Sequence, residues 1–307
     1  MHPEELAERN IRRSRWYLLG GGLVFAAMAY VLGTVWFGAG PVPGILAALI
    51  AAAITWTSYW ESDRIVVAST GAVPADLDDH RRLHNLVESV SIAAGIPKPR
   101  VYIVRSDALN AFATGRDPEH AAVAVTSGLL DNLDRQELEA VVAHEVSHVR
   151  NYDIRLMTVV AVIAGAIVLL ADWSFRAVRW GGLSGSRRKA DGVVPLLVIL
   201  GLVMVILAPL GARIIRSAVS RQREYLADVS GAHLTHNPRA LADALRKIAD
   251  SPSRVRNATH ANAHLWIDAP LRPRRGRGTE GLSWYDRMFL THPPIEERIH
   301  RLELLGA

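Results

Sequence analysis

The chain has 307 residues and a formal net charge of +5, with half of its residues hydrophobic and only 21% charged. It contains no cysteine, which excludes disulfides and thiolate metal sites. The positive balance does not point to nucleic acid, because the arginines gather beside apolar blocks and after Pro270 (Arg272, Arg274, Arg275, Arg277) without any nucleic-acid-binding fingerprint.

From Trp16 to Trp60 there is no Asp, Glu, Lys, Arg or His, a run more than twice the roughly 20 residues needed to cross a bilayer once. Gly40, Pro41, Pro43 and Gly44 punctuate it, so two spans are predicted, about Tyr17–Phe37 and Val42–Tyr59, joined by a very short turn. The run is too long for a cleaved signal peptide and has no small-residue cleavage site followed by polar sequence, so both helices are expected to stay. Arg9, Arg12, Arg13 and Arg15 precede the block, and Arg150, Arg155, Arg213, Arg216, Arg221 and Arg223 flank the later apolar runs. Positive charge beside a span stays in the cytoplasm, which puts all of these on one side.

The polar segment Glu61–Arg150 has globular texture. Leu83, Leu86, Val87, Val90 and Ala94 recur at helical spacing, and Gly95-Ile96-Pro97 ends that helix. Arg100–Arg105, Asn110–Gly115 and Ala121–Thr126 read as short strands, from which a small antiparallel sheet is expected. Asp134 and Glu137 have the spacing of a capping box, so a helix starts there and runs through Leu138, Val141, Val142 and Val149.

Two further uncharged runs follow, Leu156–Ala171 and Gly192–Ala212. The second is span-length and the first is short, so the pair is either two more crossings or includes a re-entrant or buried piece. The basic residues Arg176, Arg179, Arg187, Arg188 and Lys189 between them fall outside if both cross. Beyond lie helices around Ser217–Gly231 and Pro238–Ala249, a Pro-, Arg- and Gly-rich loop from Ala269 to Gly281, and a final helix near Pro294–Leu305. The expected organisation is a tail and hairpin (1–60), a first catalytic part (61–155), a membrane pair (156–212) and a second catalytic part (213–307). Both catalytic parts lie on the same face of the membrane and can assemble into one domain.

The chemistry centres on His144-Glu145-Val146-Ser147-His148. Residues four apart share a helix face, so the two imidazoles can reach one metal ion while Glu145 stands beside an open coordination position. A glutamate there can take a proton from a metal-activated water and pass it to a leaving nitrogen. His80/His84 and His260/His264 share the spacing but lack the glutamate, and both are read as surface or structural histidines. The 144/148 pair lies in the otherwise apolar stretch Ala140–Val149, where three ionisable groups are costly to bury unless paired or metal-bound. Catalytic zinc takes three protein ligands and a water, and Glu224 is the candidate third, with Asp228 one turn on to accept the spare N–H of a zinc-bound histidine. One Zn2+ per chain follows.

Asn110–Gly115, HEVSH followed by Arg150–Asp153, Arg223–Asp228 and Thr291–Ile299, in this order and around membrane segments, resemble the HtpX-type bacterial membrane proteases, relatives of the eukaryotic CaaX prenyl proteases. The resemblance implies a mainly α membrane protein in which transmembrane helices accompany an α+β, zincin-like metalloprotease domain. It implies a multi-pass zinc endopeptidase of the bacterial inner membrane whose site faces the cytoplasm and which degrades damaged or misassembled proteins. Its partners are then protein or peptide substrates and the lipid bilayer. Carried over by position, His144, His148 and Glu224 hold the zinc and Glu145 is the base. Asn110, Ala111, Phe112 and Ala113 form an edge strand that takes the substrate by strand addition. His292, with Arg298 nearby, stabilises the oxyanion or braces the metal site. The competing class is a zinc-binding membrane scaffold or transporter without catalysis.

Overall fold

The computed structural model describes residues 3–37, 41–163, 221–255, 262, 265–268 and 293–306. Most of the expected second membrane pair, the arginine-rich loop, His260, His264 and His292 lie outside them.

The first apolar block forms two helices, α1 (Pro3–Phe37) and α2 (Pro41–Trp60). Pro41 and Pro43 stand in the first turn of α2, where no intrahelical bond needs their missing N–H. Among the described residues α2 is the helix long and apolar enough to cross a membrane, and its most apolar window is only 11% buried. Ile45, Leu46, Leu49, Ile50 and Ile54 of α2, with Trp16, Leu19 and Leu23 of α1, make an exposed apolar belt. α1 starts well before the expected span at Tyr17. The arginine-bearing tail is therefore helical, and its Asn10 and Ser14 are buried.

After α3 (Ser62–Thr70) the chain enters a sheet of β1 (Ala72–Pro74), β2 (Arg100–Val104), β3 (Ala111–Gly115) and β4 (Ala121–Thr126), in the order β1-β2-β4-β3. The expected antiparallel sheet is corrected here: β2 and β4 are parallel, so the sheet is mixed. The reason lies in β4, whose six residues are all buried. Small apolar side chains on both faces suit a central strand covered on both sides, and β4 takes that place while β3 is displaced to the edge as its antiparallel hairpin partner.

α4 (Arg81–Ala94) buries Leu83, Leu86, Val87 and Val90 and ends at Gly95 in the left-handed region, φ 68°. α5 (Ser127–Asn132) leads to α6 (Arg135–Arg150), which carries the HEVSH string. The capping box is present: Asp134 accepts the Glu137 amide at 2.9 Å, and Glu137 accepts the Asp134 amide at 2.8 Å. α6 is buried from Leu138 to Val149 except at Glu139, because α4, β3, α7 (Arg221–Thr235) and α8 (Pro238–Asp250) all pack on it. Residues 153–163 are helical again. α8, capped by Asn237 on the Ala240 amide, buries Leu241, Leu245 and Ile248 beside Leu302 of α9 (Ile295–Leu305).

The helix expected around Ser217–Gly231 runs past Gly231, and α7 continues to Thr235. A Cβ at Gly231 would stand 2.9 Å from the His144 amide nitrogen, so the glycine serves close helix packing.

Candidate active site

α6 and α7 bring together what the sequence separates by about a quarter of the chain. His144, Glu145, His148, Glu224 and Asp228 are all buried. One ligand atom from each of His144, His148 and Glu224 lies within 4.8 Å of the others, with His144 Nε2 3.9 Å and His148 Nε2 3.7 Å from the Glu224 carboxylate.

The outer nitrogens of both rings are held by carboxylates. His144 Nδ1 is 3.0 Å from Asp228 Oδ1, the contact expected from the sequence, and His148 Nδ1 is 3.1 Å from Asp153 Oδ2, a contact the sequence reading missed. Asp153 follows the end of α6: Asn151 caps it, Tyr152 adopts φ 57°, and this reversal carries the carboxylate back beside His148. The only cue was an acidic residue in the Arg150–Asp153 segment. A neutral imidazole that donates outward from Nδ1 presents its Nε2 lone pair on the side where Glu224 lies.

Arg298 is fully buried and closes the outer layer. Its Nε and Nη2 donate to the two oxygens of Asp228 at 2.9 and 2.7 Å, its Nη1 donates to the Ile267 carbonyl at 3.0 Å, and Nη2 lies 3.4 Å from His144 Nε2. Burial opposes the Asp228 charge, yet Arg298 and His144 hold its carboxyl below the usual range. For His148 burial also disfavours charge, but the bond to Asp153 and the Glu224 carboxylate win and raise it to about 9. His144, beside Arg298, goes down, chiefly through burial. Burial raises Glu145 to about 7, with the Ala113 amide donating to it.

The donor set fits a divalent cation. The carboxylates of Glu145, Asp153, Glu224 and Asp228 are buried here together with both imidazoles, and the guanidinium groups of Arg223 and Arg298 lie beside them. Two imidazole nitrogens and a carboxylate oxygen converging in a buried cluster are the donor types that hold such a cation, and ionisable groups are costly to bury unless paired or metal-bound.

The cavity between these groups is about 10 Å³, room for one water-sized species. Ala113 and Met157 line it, as do Leu265, Trp266 and Ile267. These last residues lie on the β3 edge expected to take substrate: Trp266 bridges Phe112 in antiparallel fashion, and the Ile267 amide donates to the Ala111 carbonyl at 2.9 Å. The Phe112 and Trp266 rings meet edge to face at 4.8 Å. Asn110 clamps the same segment, its Nδ2 donating to the Asp268 carbonyl at 2.9 Å and its Oδ1 accepting the Asp268 amide at 3.3 Å. Of the other histidine pairs, His84 lies against the Ala75 carbonyl, away from the site.

A buried HExxH helix, a glutamate from a neighbouring helix and carboxylates behind both histidines define a metal-dependent peptidase. The chain belongs to peptidase family M48, whose family model matches residues 78–305. It is 47% identical to a protein named Protease HtpX homolog from Thermoanaerobacter pseudethanolicus, over 98% of this chain and 97% of that one. It is 45% identical to the Caldanaerobacter subterraneus homolog, over 98% and 97%, and 45% identical to that of Tropheryma whipplei strain Twist, over 84% of each chain.

Proposed function

We propose that this metalloprotease is a membrane-bound zinc endopeptidase holding one Zn2+ per chain through His144, His148 and Glu224. The observation that carries the reading is the convergence of two imidazole Nε2 atoms and one carboxylate in a buried cluster whose outer nitrogens are already tied to Asp228 and Asp153. Zinc supplies Lewis acidity there, acidifying a water and polarising a peptide carbonyl.

Glu145 takes the proton of the attacking water on its carboxylate and returns it to the leaving nitrogen. Arg298 acts through Asp228, holding the His144 ring in place, and the resemblance assigns His292, outside the described residues, to stabilising the oxyanion or bracing the metal site. An extended peptide binds the β3 edge at Asn110, Ala111, Phe112 and Ala113, in the place residues 265–267 now hold. Recognition of backbone bonds tolerates varied sequence, which suits a protease for damaged or misfolded membrane proteins.

The two parts of the protease domain, 61–155 and 213–307, sit on the cytoplasmic face of a multi-pass protein of the bacterial inner membrane. The exposed apolar belt on α1 and α2 and the basic residues beside it support this placement. The experiment is zinc analysis of wild type and Glu145→Gln in detergent together with cleavage of casein or of the enzyme itself. Retained zinc with abolished cleavage is expected; unchanged cleavage refutes the assigned mechanism.

A further inference from the structure

α1 precedes the segment matched by the peptidase family, yet it reaches the metal cluster. Asn10 is 3% exposed, and its Nδ2 donates to Asp153 Oδ1 at 2.8 Å and to the Asn151 carbonyl at 3.0 Å. Two acceptors converging on one side-chain nitrogen leave no doubt which end of the amide faces them. The other oxygen of the same carboxylate lies 3.1 Å from His148 Nδ1, and Arg223 Nε is 3.6 Å from Oδ1. Asn10 thus bonds both ends of the reversal at Tyr152 that turns Asp153 back toward His148.

The contact is part of a longer seam. α1 runs beside helical residues 153–163: Asn10 meets Asp153 at the start, Tyr17, Leu18 and Phe25 pack with Val159 and Ile163, and a Cβ at Gly21 would touch Ile163 at 3.0 Å. The pairing advances from 10 to 21 on one helix as it advances from 153 to 163 on the other, so the two run parallel and in register. A shift of α1 along or about this seam moves Asn10 relative to Asp153.

We propose that Asn10 is a positioning residue of the metal site, fixing through Asp153 the orientation of His148 and so linking α1 to metal binding. The inference rests on the zinc reading above. Losing a direct partner of a metal-binding histidine costs about 10- to 100-fold in metal affinity, and a residue one step further out acts near the lower end. Asn10→Ala is therefore expected to weaken zinc binding about tenfold, and Asn10→Asp, which sets a carboxylate against Asp153, at least as much. Ser14→Ala is the control: Ser14 is buried on the same helix and donates to the Asn10 carbonyl, at 2.7 Å, without touching Asp153 among the described residues' hydrogen bonds.

The test uses the full chain in detergent, stripped of metal and titrated with zinc against a chromophoric chelator, for wild type, N10A, N10D, S14A, D153N, N10A/D153N and H148A. Support requires weakened zinc binding in N10A or N10D, near-wild-type binding in S14A, and little further loss when N10A is added to D153N. The visible absorption of the cobalt-loaded protein should shift in N10A and D153N but not in S14A. If N10A and N10D bind zinc like wild type, or if N10A has its full effect on the D153N background, the proposal is overturned while the zinc reading stands. If wild type binds no more zinc than H148A, the zinc reading itself fails and the proposal with it.

Discussion

Gly231 of α7 lies directly against the backbone of His144, so closely that a Cβ there would stand 2.9 Å from the His144 amide nitrogen and 3.1 Å from its Cα. The contact is backbone to backbone, and no side-chain rotation relieves it. Gly231→Ala must push α7 away from α6 and carry Glu224 and Asp228 with it. Overpacking of this kind costs about 1–3 kcal/mol. Thermal unfolding should show that loss, and zinc titration should show affinity falling by more than the roughly tenfold effect of a remote partner.

Arg298 neutralises Asp228 at full burial through two hydrogen bonds. Replacing it with methionine leaves a buried carboxylate facing His144 without its guanidinium, a change that costs about 3–5 kcal/mol. Arg298→Lys should recover little, because an ammonium cannot reproduce the paired geometry. Denaturant unfolding of the metal-loaded variants measures both.

Zinc bound only by the folded chain must stabilise it. At a free zinc concentration about 100 times Kd the gain is about 2.7 kcal/mol, and chelation should remove it. The unfolding temperature of wild type and Glu145→Gln should fall on chelation, whereas that of His148→Ala should not move. An equal fall in all three would mean that the stabilising metal binds elsewhere.

Trp266 occupies the β3 edge and packs its ring on Phe112. If substrate takes that edge, Trp266→Ala should lower KM for unfolded casein, because less of the chain's own structure has to be displaced. Stability should drop by about 3–5 kcal/mol for the lost buried ring, so the assay belongs well below the unfolding temperature. An unchanged or higher KM argues against substrate binding there.

The local elements of the site were legible because they are encoded over short distances. The α6 capping box, the stop at Gly95 and the HEVSH spacing are contacts within a few residues, and each appears where residue type predicts it. Asp228 behind His144 was also legible, since one helical turn from Glu224 fixes which way it faces. β4 was read correctly as a strand, but its parallel pairing with β2 depends on which strand takes the doubly covered centre, a choice made only when helices pack on both faces.

From the sequence alone came the chemistry: two histidines and a glutamate on one helix, a second acidic helix, and apolar blocks too long for a soluble core. The tertiary structure decided the arrangement that makes them one site. Gly231 sets how closely α7 approaches α6, the left-handed turn at Tyr152 aims Asp153 at His148, and Asn10 arrives from the first helix to hold that turn. Each is a contact between residues remote in sequence, and no local periodicity or capping rule reports it. The helix with HEVSH could be read in one dimension; the shell that orients its imidazoles exists only in three.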